Sequence, residues 1–467
     1  MNDVGLIGLA VMGENLALNI GRSGYNLSVY NRTNKKTKEF VDNRVKNESI
    51  EGYYDIKSFV NSLSRPRKIM LMVKSGEPVD HMIDELLPYL EEGDLLVDAG
   101  NSYFKDTTRR RTKLGEENIL YLGLGVSGGE EGALHGPSLM PGGSRESYEL
   151  IEDILLSIAA KTESGPCSTY IGKDSAGHFV KMVHNGIEYG IMLAISEAYN
   201  ILRKGLQLSL DEIGNIFKRW NDAELGSYLM EISYKIMYRI DKKNDKPLLD
   251  YILDKAAQKG TGKWTAITAL ELGIPAPSIS VAVDGRFISY FKEQRVELSN
   301  MIEKGNDRIE IDKDKLIKEL EKSLLFTQFI LFSQGIWLIN EASKVYDYNV
   351  NPAEVLRVWK GGCIIRAKMI DPMIKIVNRN KKNINLLNDK ETLKFLLENY
   401  DSTKYISYIA QDLYIPALIH STAIDYFLGL IEESSAANLM QAQRDFFGAH
   451  TYERIDKEGI FHTEWEN

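Results

Sequence analysis

One stretch restricts the possible folds more than any other. From Asp174 to Asn200 nothing interrupts a helix: Asp174 and Ser175 are good N-cap residues, and the next proline is Pro247. At helical spacing Lys181, His184, Asn185, Glu188 and Tyr189 fall at i, i+3, i+4, i+7 and i+8, so all five share one face. Around them stand Phe179, Val180, Met182, Val183, Ile187, Ile191, Met192, Leu193 and Ile195. A surface helix carries many solvated charges on its polar side. This one is apolar nearly all round and offers an amine, an imidazole, an amide, a carboxylate and a phenol. The stripe suits the wall of a polar cavity. It suits equally a buried hydrogen-bonded network or a narrow solvated face.

Ahead of that helix, strands alternate with helices. Val4 to Ile7 is a short apolar strand, and Gly8-Leu9-Ala10-Val11-Met12-Gly13 leads from it into a helix through Asn19. This is a dinucleotide-binding turn with alanine at the second glycine position. The helix start supplies N–H donors and positive dipole to a pyrophosphate. The next strand, Leu27 to Tyr30, ends in Asn31-Arg32-Thr33. An NAD site would place a carboxylate near here for the ribose 2′-hydroxyl; a cation and hydrogen-bonding groups favour NADP instead. Lys68 to Val73 is a strand followed by a loop with Lys74, and a helix runs from about Pro78 to Leu90. Asp94 to Val97 leads into Gly100-Asn101-Ser102, and Ile119 to Leu124 leads into Ser127-Gly128-Gly129. Ligands of open α/β sheets bind beyond the carboxyl ends of strands, so Asn101 and the Ser-Gly-Gly turn face the cofactor crevice. That turn can hold a carboxylate or phosphate on its N–H groups, or can need glycine only for its dihedrals. Ser168 to Ile171 makes a last strand.

Beyond Gly177 helical periodicity dominates. Pro247 is placed to open a helix leading to Gln258-Lys259-Gly260-Thr261-Gly262-Lys263-Trp264. This segment lacks Walker spacing; it is a single-phosphate site at a helix start or a basic inter-helix loop. A helix carrying Arg286 follows Pro275 and Pro277. A weak internal echo links Ile195-Ser-Glu197-Ala198 and Trp220 to Ile339-Asn-Glu341-Ala342 and Trp359, as a duplicated helical unit would. With 467 residues the chain is long enough for two or three domains. We expect a Rossmann-type α/β domain over 1–174, an all-helical domain over 175–432 and an extended tail over 433–467. A net charge of −9 argues against nucleic acid or an anionic membrane surface as partner, but not against an anionic small substrate met by local Arg and Lys. Two cysteines, Cys167 and Cys363, make no disulfide framework, which with the absence of a signal peptide implies a reducing, cytoplasmic setting. Leu324 to Ile339 is long and apolar but contains Thr327, Gln328, Ser333 and Gln334, and reads as a buried helix.

Together the segments GLAVMGENLA, VYNRT, DAGNSYFKDT, GVSGGEEGA, GPSLMPGG, KMVHNGIEYG, KGTGKWT and QRDFFGAHTYE span nearly the whole chain. In this order they resemble the decarboxylating 6-phosphogluconate dehydrogenase family. The resemblance implies oxidation of 6-phosphogluconate at C3 with NADP, loss of CO2 to give ribulose 5-phosphate, and no metal. It also implies a place in pentose phosphate and gluconate metabolism and a homodimer whose C-terminal segment reaches the partner's site. By position, Lys181 matches the general base and Glu188 the acid that protonates C1 of the enediol. Asn101, Ser127, Gly128, Gly129, His184 and Asn185 match groups that hold the sugar acid. Tyr189, Lys259, Thr261, Arg286, Arg444 and His450 match the phosphate cluster. Gly8, Leu9, Ala10, Val11, Met12, Gly13, Asn31, Arg32, Thr33, Val73, Lys74 and Asn101 match the cofactor side. The chain departs from the family where Ile191 and Leu193 replace an expected polar pair, and it ends soon after Trp465. A related β-hydroxyacid dehydrogenase would be much shorter, and a silent NADP-binding protein would have lost Lys181 or Glu188.

Overall fold

The computed structural model describes residues 1–257, 260–302, 311–380 and 385–466. Seven strands form the N-terminal sheet: β1 (Val4–Ile7), β2 (Leu27–Tyr30), β3 (Ile50–Tyr53), β4 (Lys68–Leu71), β5 (Leu95–Asp98), β6 (Leu120–Ser127) and β7 (Ser138–Gly143). Their order is β3-β2-β1-β4-β5-β6-β7, parallel except for β7 against β6. Alternate residues enter separate apolar clusters, Leu6, Val29, Met70 and Val97 in one and Ile7, Tyr30, Leu71 and Leu96 in the other. With both faces covered, the strands read as continuous apolar runs, which is why β1, β2, β4 and β5 are recognisable in the sequence. The order reverses between β1 and β4, and the Gly8 turn sits at that switch point.

One expectation for this region changes, and two strands are added to it. Ser138–Gly143 is a strand despite Pro141 and two glycines; as the last strand of the sheet it tolerates a missing donor. Ile50–Tyr53 is the opposite edge. Ser168 to Ile171 is not a strand. It runs beside β7 and makes only isolated bridges, Leu139 to Ser168 and Gly142 to Gly172, because Pro141 has no N–H to continue the ladder.

The central helix, Ala176–Asn200, starts beneath the sheet and ends among helices. Asp174 does not cap it. That residue takes a φ of +52° and bonds Arg111, while the Ser175 hydroxyl is engaged by Thr108 and Tyr348. A Cβ on Gly177 would come within 2.4 Å of the Gly123 carbonyl of β6 and 2.7 Å of the Gly142 nitrogen of β7. Three turns on, a Cβ on Gly190 would lie 2.2 Å from Leu331 of the Lys313–Val345 helix. These glycines let the helix pass close to both neighbours. Lys313–Val345 is, among the described residues, the helix long and apolar enough to cross a membrane; 89% of its most apolar window is buried in the fold. Pro247 opens only a 3₁₀ turn, Leu248–Tyr251. The chain after it is held instead by bonds from Arg295 to Asp254 and from the Ala256 N–H to Ser289. The two halves of the internal echo lie alike: Ala176–Asn200 precedes Leu210–Asp222, and Lys313–Val345 precedes Pro352–Val358.

Residues 1–423 form one compact unit and the chain from Ile424 onward a second, smaller one. The second does not run as an extended tail. It carries a helix, Ala437–Gly448, and a hairpin of Tyr452–Glu453 with Ile460–Phe461. One buried carboxylate organises it. Asp445 accepts bonds from the Thr451 N–H at 2.9 Å, the Thr463 N–H at 3.0 Å and the Trp465 indole at 2.9 Å, and His462 lies at 2.9 Å. The rings of Phe446, Tyr452, Phe461 and Trp465 contact one another in the same unit, so the buried acid and a small aromatic cluster hold it together.

Candidate active site

The stripe of the central helix is a bonded network. Lys181, His184 and Asn185 are buried, and Glu188 is partly exposed beside them. Lys181 Nζ donates to Asn185 Oδ1 at 2.7 Å and lies 3.4 Å from His184 Nδ1. His184 Nδ1 is 3.1 Å from Asn185 Oδ1, and its Nε2 is 3.1 Å from Ser127 Oγ. The consistent tautomer carries its proton on Nδ1, donating to Asn185, and accepts from Ser127 at Nε2. Asn185 Nδ2 donates onward to Thr261 Oγ1 at 3.1 Å. Glu188 Oε2 stands 3.7 Å from the His184 ring.

Burial sets the charge states. It lowers the Lys181 pKa from its ordinary value, with Glu188 opposing. It drives the His184 imidazolium far below its usual range, helped by Lys181, so the ring is neutral. It raises the Glu188 carboxyl, against the pull of Lys181 and Arg286. An amine disposed to lose its proton therefore shares one face with an acid disposed to keep it.

Two loops and a neighbouring helix complete the wall. Gly125 of β6 lies so close to the Lys181 stem that a Cβ there would meet it at 2.6 Å. Ser127 is buried, and Gly128 (φ +129°) and Gly129 (φ +62°) turn the chain out of β6 with Gly129 exposed. Asn101 is exposed after β5. Thr261 opens the Thr261–Glu271 helix, and Gly262 leaves room for the Tyr189 ring, 2.5 Å from where a Cβ would stand. The Arg286 guanidinium lies 3.7 Å from the centroid of that ring and donates to the Ala257 carbonyl at 2.8 Å. Thr261, Tyr189 and Arg286 are thus brought together. Lys259 falls outside the described residues. Arg444 and His450 belong to the C-terminal unit, both exposed, with Arg444 donating to Gln441 at 3.2 Å.

The cofactor turn is shaped as a dinucleotide needs. Gly8 has φ +104°, and a Cβ on Gly13 would lie 1.8 Å from the Gly8 carbonyl oxygen, so only glycine fits there. Ala10 and Val11 are exposed at the start of the Val11–Arg22 helix, with Leu9 and Met12 packed behind them. The Leu9 N–H donates to Asn31 Oδ1 at 3.0 Å, which ties the turn to the end of β2. Arg32 and Thr33 are exposed beyond it, and Arg32 makes no hydrogen bond or ion pair among the described residues. Val73 and the exposed Lys74 follow β4 on the same edge of the sheet. The residues present fit an NADP molecule.

Comparison with known proteins agrees in extent as well as kind. The NAD binding domain of 6-phosphogluconate dehydrogenase matches residues 3–172, and the C-terminal domain of the same enzyme matches residues 177–465. The chain belongs to the 6-phosphogluconate dehydrogenase family. It is 49% identical over 466 residues to the NADP(+)-dependent, decarboxylating 6-phosphogluconate dehydrogenase of Bacillus subtilis, covering 99% of this chain and 98% of that one. It is 46% identical over 471 residues to the decarboxylating enzyme 1 of Spinacia oleracea, covering 99% and 97%. Among solved structures, 6-phosphogluconate dehydrogenase of Plasmodium falciparum matches with a TM-score of 0.96 at 40% identity, over 99% of this chain and 100% of that one.

In this member of the 6-phosphogluconate dehydrogenase family, one segment that no motif pointed to abuts the stripe. Trp359, fully buried, sets its ring edge-on to His184 with centroids 5.7 Å apart, and its indole donates to Met140 Sδ at 3.4 Å. The Gly362 carbonyl accepts from the Ser138 N–H at 2.8 Å and would meet a Cβ on Gly128 at 2.6 Å. Cys363 is buried within electrostatic reach of Lys181, and its thiol is pushed up to about 12 by burial. The run of Trp, Gly and Cys just past a helix was the available signal, but nothing local says what it packs against. Ile191 and Leu193, which replace the expected polar pair, take apolar places: Ile191 is buried, and Leu193 packs against Gly285, next to Arg286.

Proposed function

We propose that this protein oxidises 6-phosphogluconate at C3 with NADP and releases CO2, giving ribulose 5-phosphate and NADPH. We further propose that it acts as a cytoplasmic homodimer in the pentose phosphate and gluconate routes, with domains over 1–174 and 175–432 and a partner-reaching segment over 433–467. One arrangement carries the reading of the reaction. A buried amine and a partly buried acid stand two helical turns apart on one face, Lys181 bonded to Asn185 at 2.7 Å and Glu188 3.7 Å from the His184 ring.

NADP, when bound, supplies the ring that accepts hydride from C3. Lys181 Nζ, kept neutral part of the time by burial, takes the proton from the C3 hydroxyl as the hydride leaves. The resulting ketone is β to the carboxylate. When the C1–C2 bond breaks and CO2 departs, the electron pair moves toward the C3 oxygen, and Lys181 returns its proton there. Glu188, whose carboxyl is disposed by burial to hold its proton, then delivers a proton to the carbon that becomes C1 of the product. His184, Asn185, Asn101 and the Ser127-Gly128-Gly129 turn hold the carboxylate and hydroxyls. Tyr189, Thr261 and Arg286, with Lys259, Arg444 and His450, hold the phosphate; three of these are cations of the kind an acidic protein must gather for such a substrate. Arg32, Asn31 and Thr33 receive the 2′-phosphate, and Val73 and Lys74 flank the cofactor.

The test is stoichiometric. NADPH and CO2 should form one for one from 6-phosphogluconate, and Lys181→Ala should stop both while calorimetry still detects substrate binding. A Lys181→Ala protein that turns over near the wild-type rate would refute the general-base assignment.

A further inference from the structure

The fold sets one guanidinium between two loops of the proposed site. Arg110, on the Phe104–Gly115 helix, is 1% exposed. Its Nε and Nη2 grip the two carboxylate oxygens of Asp80, each at 2.9 Å. Nη2 also donates to the Gly76 carbonyl at 3.0 Å. On its other side Nη1 lies 3.4 Å from Ser102 Oγ and 3.5 Å from Asp98 Oδ2. Asp98, with no exposed surface, accepts from the Gly100 N–H at 3.1 Å, the Ser102 hydroxyl at 2.6 Å and the Tyr121 hydroxyl at 2.9 Å.

Gly76 ends the Val73–Gly76 loop as N-cap of the Glu77–Leu86 helix, which carries Asp80. Gly100, Asn101 and Ser102 form the loop after β5. The two loops also touch, since a Cβ on Gly100 would lie 2.9 Å from the Val73 carbonyl oxygen.

We propose that Arg110 is a positioning residue that locks the Val73–Gly76 cofactor loop to the Gly100–Ser102 substrate loop, so that NADP and 6-phosphogluconate each favour binding of the other. The proposal rests on the site assignment given above. A buried guanidinium cannot shed the partners of one loop without leaving charge unpaired in the interior. The loops therefore shift together. The first ligand to fix its own loop fixes the other as well, and the second ligand binds to a loop already in place. Only arginine can do this, because its planar fork addresses Asp80 with two nitrogens while a third faces the opposite loop; a lysine has one point of contact.

The experiment measures the dissociation constant of 6-phosphogluconate by calorimetry with and without saturating NADPH, which binds the cofactor site without turnover. In the wild type NADPH should tighten 6-phosphogluconate by about fivefold or more. In Arg110→Lys and in Ser102→Ala the ratio should fall close to one while each ligand alone still binds. Ser102→Ala keeps the guanidinium and decides the matter if Arg110→Lys does not fold. Lys113→Ala breaks an exposed ion pair with Asp84 between the same two helices and should keep the wild-type ratio. A wild-type ratio of one, or the wild-type ratio retained in Ser102→Ala or in a folded Arg110→Lys, would overturn the proposal. A wild-type protein that binds neither ligand would overturn the site assignment itself, and this proposal with it.

Discussion

Lys181 and Glu188 are set for opposite duties by the same cause. Burial disfavours whichever form is charged, so it lowers the amine and raises the carboxyl. In the proposed mechanism the working form has Lys181 neutral and Glu188 protonated. The rate follows the fraction of enzyme with Lys181 neutral and Glu188 protonated, and rising pH enlarges the first population while it depletes the second. The pH profile of ribulose 5-phosphate formation should therefore be a bell. Glu188→Gln should slow product formation about 10²–10⁴-fold, and its residual rate should no longer decline on the alkaline side. An alkaline decline that survives in Glu188→Gln would assign that limb to another group. The stripe was legible beforehand because helical spacing alone places its five residues on one face. Trp359 was not, since its contact with His184 joins residues 175 positions apart and leaves no periodic trace.

Among the elements, the Leu418–Ile431 helix begins on a buried acid. Glu197 is 5% exposed, and both its carboxylate oxygens lie 3.2 Å from the Ile419 N–H. Backbone N–H groups at a helix start attract a carboxylate, yet burial wins and raises its pKa from 4.5 to about 8. A raised folded value means stability that is full below 4.5 and is lost as pH climbs to about 8, because the unfolded chain releases the proton first. Each pH unit between the two values is worth ~1.4 kcal/mol, so the loss is about 5 kcal/mol. Glu197→Gln should match wild type near pH 5 and unfold at a higher temperature than wild type near pH 9; calorimetric scans at both pH values would show whether the gap opens. Most elements were readable because apolar periodicity is local. The exceptions share a reason. Ser138–Gly143 succeeds as a strand only because it is the last in the sheet, and Ala437–Gly448 with its hairpin depends on one aspartate meeting groups up to twenty residues away. Edge position and a distant partner are tertiary facts, invisible to pattern.

At the scale of the whole molecule, the proposed homodimer makes a quantitative demand. If Arg444 serves the partner's site, Lys181→Ala and Arg444→Ala homodimers should each be nearly inactive. A hybrid of the two places both lesions in one site and neither in the other. Unfolding, mixing and refolding the variants gives about half hybrids, so activity should return to about a quarter of wild type. If hybrids form and no activity returns, the segment works within its own chain. Within the larger unit, the central helix that bears Lys181 and Glu188 is also the covalent passage from the sheet to the helices beyond. Large domain swings pivot on a few residues that can change their backbone angles. Here the passage is a rod of 25 residues, with Gly177 wedged against β6 and β7 and Gly190 against Leu331. It offers no joint. The geometry of the Lys181 stripe is therefore set at one end by the sheet and at the other by the Lys313–Val345 helix, as a beam is by its two bearings.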